Sequence, residues 1–281
     1  MGRGPDHSAA LPDTLSGASA RPAGRAWRLP GWLRGLVLPV LVFAGLEALV
    51  RSGRVPDYLM PAPSQVFETI LDLAHGPLWQ HIGISTLRVF SGFAIGAALA
   101  LLIGTWVGLS RRAEAYLEPS FQALRAVPGL AWVPLLLIWL GIDEASKITL
   151  IAIGAFFPVY LNLVAGIRNV DRKLVEVGAL YRFSSYRLVR HVFVPAALPY
   201  LYTGLRQALS MSWLCVVAAE LLAATKGIGY LLTDGRETSR PDLVLVAIIL
   251  LAVMGKLTDS ILRYAEARSL RWRDSYAGKP G

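Results

Sequence analysis

Between two long apolar runs lies a stretch whose side chains could engage a partner, residues 171–199, reading DRKLVEVGALYRFSSYRLVRHVFVPAALP. It sets the carboxylate of Glu176 among Arg172, Lys173, Arg182, Arg187 and Arg190, a set suited to ion pairing rather than to making or breaking bonds. Asp171 is placed to cap a first helix carrying Val175, Glu176 and Leu180; Ser184 or Ser185 is placed to cap a second carrying Leu188, Val189 and Val192. Pro195 is expected to stop that second helix. Apolar residues recur at helical spacing with arginines between them, so both helices are amphipathic. Such a pair suits either lipid headgroups or the surface of a soluble protein.

Other chemistry is poorly represented. A phosphate-binding loop needs Gly-x-x-x-x-Gly-Lys-Ser/Thr so that successive amides surround the phosphates, and Lys226-Gly-Ile-Gly229 lacks that spacing. Cys215 is the single cysteine, which leaves no disulfide framework and no metal cluster. His7, His75, His81 and His191 fall outside the expected membrane spans, and no Ser-His or Cys-His pair stands out for nucleophilic catalysis. No catalytic residue, metal or cofactor is expected, and energy for any transport must come from another polypeptide or an ion gradient. A secondary transporter keeps ionisable groups at mid-membrane, whereas Glu47, Glu220 and Asp259 lie near the ends of their runs.

The elements that must position these residues follow from composition. The chain has 281 residues, 54% of them apolar and only 17% charged, with a mean hydropathy of +0.50, which is unlike a soluble domain. Apolar runs at 33–50, 87–109, 117–140, 148–167, 198–224 and 243–262 are each about long enough to cross a hydrocarbon core of about 30 Å. An all-α integral membrane fold of six transmembrane helices is predicted over residues 31–265. It is flanked by a disordered cytoplasmic tail, 1–30, and a cytoplasmic tail, 266–281. An amphipathic segment, 64–74, follows Pro61 and Pro63 and is expected along the outer surface.

The net charge of +9 does not point to nucleic acid, because the basic residues flank apolar runs. Arg111, Arg112, Arg168, the 171–199 stretch and both tails share one side. Only Arg51, Arg54, Lys147, Lys226, Arg236 and Arg240 fall on the other. This asymmetry predicts that both termini, and the 171–199 stretch, are cytoplasmic.

Depth suggests a path. Pro128 and Gly129 break the third run near mid-membrane, with Trp132 one turn later; Ser210, Ser212 and Trp213 lie inside the fifth, and Glu220 further out. The serines serve equally as pathway lining or as small residues that let helices approach, and the tryptophans also suit packing. Arg88 and Lys256 could attract an anion or merely snorkel to the interface, and Lys256 is spaced to pair with Asp259.

Several motifs occur in a recognisable order: Leu59-Met-Pro-Ala-Pro63, Ser85-Thr-Leu-Arg88, Gly92-Phe93, Val127-Pro-Gly-Leu-Ala-Trp-Val-Pro134, Leu140-Gly141, Glu176-Val-Gly178, Pro195-Ala-Ala-Leu-Pro199, Thr203-Gly-Leu-Arg206, and Trp213 with Ala219-Glu220. Over about residues 55–235 the chain resembles the permease subunits of ABC importers, in the aliphatic sulphonate, nitrate and taurine branch. The resemblance implies a type I importer fold in the bacterial inner membrane and a homodimer bound to two ATP-binding subunits. It also implies an extracytoplasmic binding protein that delivers a small anionic solute. It makes 171–199 the cytoplasmic coupling loop, with Glu176, Val177, Gly178, Arg182, Ser184, Ser185 and Arg187 as ATPase-coupling residues. Val177 and Gly178 replace two alanines of the pattern, and Arg182 stands where it has glycine. A left-handed turn at Arg182 would cost about 1 kcal/mol relative to glycine, unless the turn shifts to Ser184-Ser185.

Overall fold

The computed structural model describes residues 31–56 and 59–272; the expected amino-terminal tail, 1–30, and residues 273–281 of the expected carboxy-terminal tail lie outside them. All regular structure among the described residues is helical. Helix α1, Gly31–Arg51, runs across the boundary between two units, one ending at Ala44 and the other beginning at Gly45. In the second unit, Glu47 accepts from the Ser64 backbone N–H at 3.1 Å and from Ser64 Oγ at 2.8 Å. Its charge thereby sits at the positive end of α2, Pro63–Ala74.

Among the described residues, four helices are long and apolar enough to cross a membrane: α3 (Leu78–Leu109), α6 (Glu144–Arg168), the continuous helix Ser185–Leu222, and α11 (Pro241–Ser269). A fifth crossing is available if α4 (Arg111–Ala126) and the stretch Gly129–Leu140, which includes α5 (Val133–Leu140), count as one span bent by 89°. The sequence predicts one span there, 117–140, with its helix broken at Pro128-Gly129, and the break falls where expected. Val127 is extended, as a residue before proline tends to be, and Gly129–Trp132 forms a single 3₁₀ turn, so the helix axis is lost. Helix α3 starts well before the expected span and takes in His81, which the sequence reading had placed outside.

Pro195 was expected to end a helix, and it does not. Residues Val189–Phe193 form a π-helical turn between α8 (Ser185–Leu188) and α9 (Val194–Ala223), and the Val194 N–H reaches back five residues to the Val189 carbonyl. That wider turn seats Pro195 in the first turn of α9, where its missing N–H is least costly. The result is one helix of 38 residues, roughly 57 Å long at 1.5 Å per residue. It exceeds a hydrocarbon core of about 30 Å by several turns.

The centre of the second unit is α3, α6 and α9. A methyl added at Gly92 of α3 would lie 2.6 Å from Ile151 Cβ of α6, and Gly96 and Gly108 are similarly filled by Ala152 and Ile167. These small residues bring the two backbones together, which in lipid substitutes for a hydrophobic driving force. Val89, Ile151, Val216, Ile228 and Ala247 form one buried cluster, and Ala100, Ala155, Val159, Tyr160 and Ala208 another. Tyr160 also donates from its hydroxyl to Glu118 of α4 at 2.7 Å, and Glu114 of α4 pairs with Arg168 at 2.7 Å.

Candidate functional site

The 171–199 stretch is built from its caps. Asp171 accepts from the Lys173 N–H at 2.9 Å and starts α7, Arg172–Leu180. The helix ends in two reverse bonds, Phe183 N–H to Gly178 O at 3.0 Å and Arg182 N–H to Ala179 O at 2.9 Å, with Arg182 at φ 51°. This is a Schellman ending, which places its left-handed residue where glycine is cheapest. The turn therefore stays at Arg182 and does not move to Ser184-Ser185. Ser184 caps the next helix through the Arg187 N–H at 3.4 Å, and Ser185 is that helix's first residue. Gly178 is buried because a methyl there would meet Leu188 Cδ1 at 2.6 Å, so α7 folds back closely on α8.

What remains on the outside of this turn is unusual for a polar segment. Leu174, Val177, Leu180, Tyr181 and Tyr186 are exposed, interspersed with Arg172, Lys173, Arg182 and Arg187. Glu176 is exposed and has no hydrogen-bond or ion-pair partner among the described residues. Arg182→Gly is expected to stabilise the turn by about 1 kcal/mol, by relieving the left-handed side chain. Slower amide exchange over residues 172–183 in the isolated chain would report it, and unchanged or faster exchange would show that the turn holds no such strain.

The expected pathway residues divide. Pro128 and Gly129 lie on the exposed break, and Trp132 lines an apolar groove of ≈ 360 Å³ with Leu99, Phe121 and Phe156. Ser210 is exposed in a groove of ≈ 690 Å³ with Arg206, Gln207 and Met211. Ser212, two residues on, is fully buried and donates back to the Ala208 carbonyl at 2.8 Å. Trp213 is buried and donates from Nε1 to Thr258 Oγ1 at 3.0 Å, tying α9 to α11. Lys256 is not the partner of Asp259, which accepts from Arg206 at 3.0 Å and from Arg263 at 2.9 Å.

Glu220 belongs to a buried network at the opposite end of α6 and α9 from the 171–199 stretch. Its carboxylate accepts from Ser85 Oγ at 2.7 and 2.9 Å, from Arg88 Nη1 at 2.8 Å and from the Gly229 N–H at 2.7 Å. Ser85 Oγ accepts from the Ile228 N–H at 2.8 Å, and His81 Nδ1 accepts from the Gly227 N–H at 3.0 Å. Three side chains from α3 and α9 thus satisfy the orphan donors that start α10, Ile228–Glu237. Gly227, at φ 131°, is pressed against the Glu220 carboxylate, which leaves no room for a side chain. Arg88 also donates to the Lys226 carbonyl at 2.7 Å and forks onto Glu144 through Nε at 2.6 Å and Nη2 at 2.5 Å. It is buried and fully engaged, so it does not snorkel.

Sequence reasoning missed Glu144 as a partner of Arg88, and Lys147 as the second cation on that carboxylate. The available signal was an acid and a base three residues apart opening an apolar run, together with the polar Ser85 and Arg88 opening another.

A family model described as "Binding-protein-dependent transport system inner membrane component" matches residues 81–271. The chain is 44% identical over 269 residues to the aliphatic sulfonates transport permease protein SsuC of Bacillus subtilis, covering 95% of this chain and 97% of that one. It is 35% identical over 225 residues to the taurine transport system permease protein TauC of Escherichia coli, covering 78% and 82%. Among solved structures, a chain from inward-facing conformations of the MetNI methionine ABC transporter matches with a TM-score of 0.52. The two are 20% identical over 71% of this chain and 94% of that one, a likeness of fold alone.

Proposed function

The chain belongs to the family of binding-protein-dependent transport system inner membrane components, and from that premise we propose the assembly, orientation and cargo of this particular permease. It is the membrane-spanning, non-enzymatic subunit of an ATP-binding-cassette importer, with ATP hydrolysis on a separate chain. Its cargo is a small anionic solute of the sulfonate or taurine type, handed over by an extracytoplasmic binding protein. The six spans are α1, α3, the bent α4–α5 pair, α6, α9 and α11. Both termini and the 171–199 stretch face the cytoplasm of the bacterial cell, in keeping with the distribution of lysine and arginine.

The observation that carries the reading is the capped turn at residues 172–188. It is rigidly closed by its own hydrogen bonds, exposes Leu174, Val177, Leu180 and Tyr181, and continues into a helix longer than the membrane is thick. We assign it as the coupling helix that docks on the ATPase, with Glu176, Val177, Arg182, Ser184, Ser185 and Arg187 at or beside the contact and Gly178 keeping the turn tight. Trp132, Ser210 and the Pro128-Gly129 break line the path. Ser212, Trp213 and Glu220 hold the helices behind it.

One such chain supplies one coupling turn and half of a two-fold path, so the working unit is a homodimer with two ATPase subunits. Native mass measurement of the solubilised complex is expected to give two permease and two ATPase chains. A stable, transport-competent complex with a single permease copy would overturn this.

A further inference from the structure

We propose that Arg88 and Lys147 form an oxyanion site whose resident ligand, the Glu144 carboxylate, exchanges with the monovalent oxyanion group of the transported solute. The identity of the solute rests on the permease reading above; the site itself rests on geometry. The two cations are sealed, with side chains 6% exposed, and Glu220 is 0% exposed, while the Glu144 side chain is 56% exposed. The acid that neutralises the buried cations is therefore the one that can leave.

Nothing else in the cluster is free to exchange. Glu220 is saturated by Ser85, Arg88 and Gly229, and its bond to Arg88 Nη1, with that of the Lys226 carbonyl, fixes the guanidinium plane. The Nε and Nη2 edge is left for Glu144, in the two-point geometry by which arginine binds any anion with paired oxygens, carboxylate or sulfonate alike. Lys147 Nζ adds a third contact at 3.3 Å while also donating to the Ile142 carbonyl at 3.1 Å. Glu144 is the first residue of α6, where its side chain can rotate into solvent without disturbing a packed turn.

Charge sets the ligand's valence. Arg88 and Lys147 are balanced by Glu220 and Glu144, so the departure of Glu144 leaves one positive charge uncompensated among buried groups, a costly state. One monovalent anion restores the balance. If Glu144 is instead a permanent clasp, its loss weakens the fold and no small anion makes it good.

Methanesulfonate, with chloride as the balancing anion at constant ionic strength, is the probe, and thermal melting of the purified chain in nanodiscs is the readout. Glu144→Gln is expected to melt lower than wild type in chloride and to recover with methanesulfonate. Half-recovery should fall at a concentration about ten-fold or more below that needed for any effect on wild type, where the tethered carboxylate competes at millimolar effective concentration. The double variant Glu144→Gln/Lys147→Met, which no longer carries the surplus charge, is expected to lose the response. No response in Glu144→Gln, or equal responses in all three proteins, would overturn the site in favour of the clasp. Should Glu144→Gln fail to fold, equilibrium binding of radiolabelled methanesulfonate decides: saturable binding to wild type that Lys147→Met removes supports the site, and its absence from wild type refutes it. Neither assay needs the ATPase, so anion binding without ATP-driven uptake would sink only the permease reading, and uptake without anion binding only the site.

Discussion

Arg88→Met is expected to remove most folded protein from the membrane, whatever the substrate turns out to be. The substitution takes away the cation that faces two carboxylates and leaves Glu220 fully buried with its charge opposed only by a hydroxyl and one backbone N–H. Breaking a buried pair by deleting one partner typically costs about 3–5 kcal/mol, against a total stability of about 5–15 kcal/mol. The damage should spread to α10, whose first N–H groups are held by His81, Ser85 and Glu220. Fluorescence-detected size exclusion after detergent extraction measures the surviving fraction. The double variant Arg88→Met/Glu220→Met should recover part of the loss, because it removes the stranded charge. A single variant with wild-type yield and melting temperature would mean that water reaches this network and that its burial has been overstated.

Glu176→Ala is expected to abolish uptake through a different route, with membrane insertion and thermal stability intact. Glu176 has no partner among the described residues, so its removal should change folding by no more than about 0.5 kcal/mol. At a docked interface the same carboxylate faces a basic group or amide of the ATPase, and truncating one partner of a desolvated pair costs about 2–5 kcal/mol of binding. Co-purification of the ATPase should therefore fall at least ten-fold and uptake with it. Normal co-purification and uptake would return Glu176 to the role of an exposed helix residue and the whole turn to a lipid-facing surface.

The parts of this fold that were legible are those where one residue's type decides its own backbone. Asp171 and Ser184 cap the helices that their side chains suggested, and the left-handed turn falls on Arg182, one of the two places the reading left open for it. The apolar runs became α3, α6, α9 and α11 for the same reason, since a stretch of that hydropathy has few alternatives. What escaped depends on neighbours distant in the chain or on geometry that a single residue does not encode. Pro195 reads as a helix stop, but the π turn ahead of it lets the helix pass. Pro128 and Gly129 read as a break in the third run, but nothing in the residue types gives the 89° through which the structure bends there. Arg88 reads equally as an anion-attracting or a snorkelling arginine until Glu144 and Glu220, 56 and 132 residues away, are brought against it by the packing of α3, α6 and α9. In the fifth run, Ser210 and Ser212 looked equivalent in depth, and only helix packing separates the open one from the buried one.

The most direct test of the account is uptake of a radiolabelled alkanesulfonate into proteoliposomes containing this chain, its ATPase subunit and the extracytoplasmic binding protein. Accumulation should require ATP on the side of the 171–199 turn and binding protein on the other. It should persist when proton and sodium gradients are collapsed, and cease when the ATPase is omitted. Accumulation driven by an ion gradient in vesicles holding this chain alone would contradict the account.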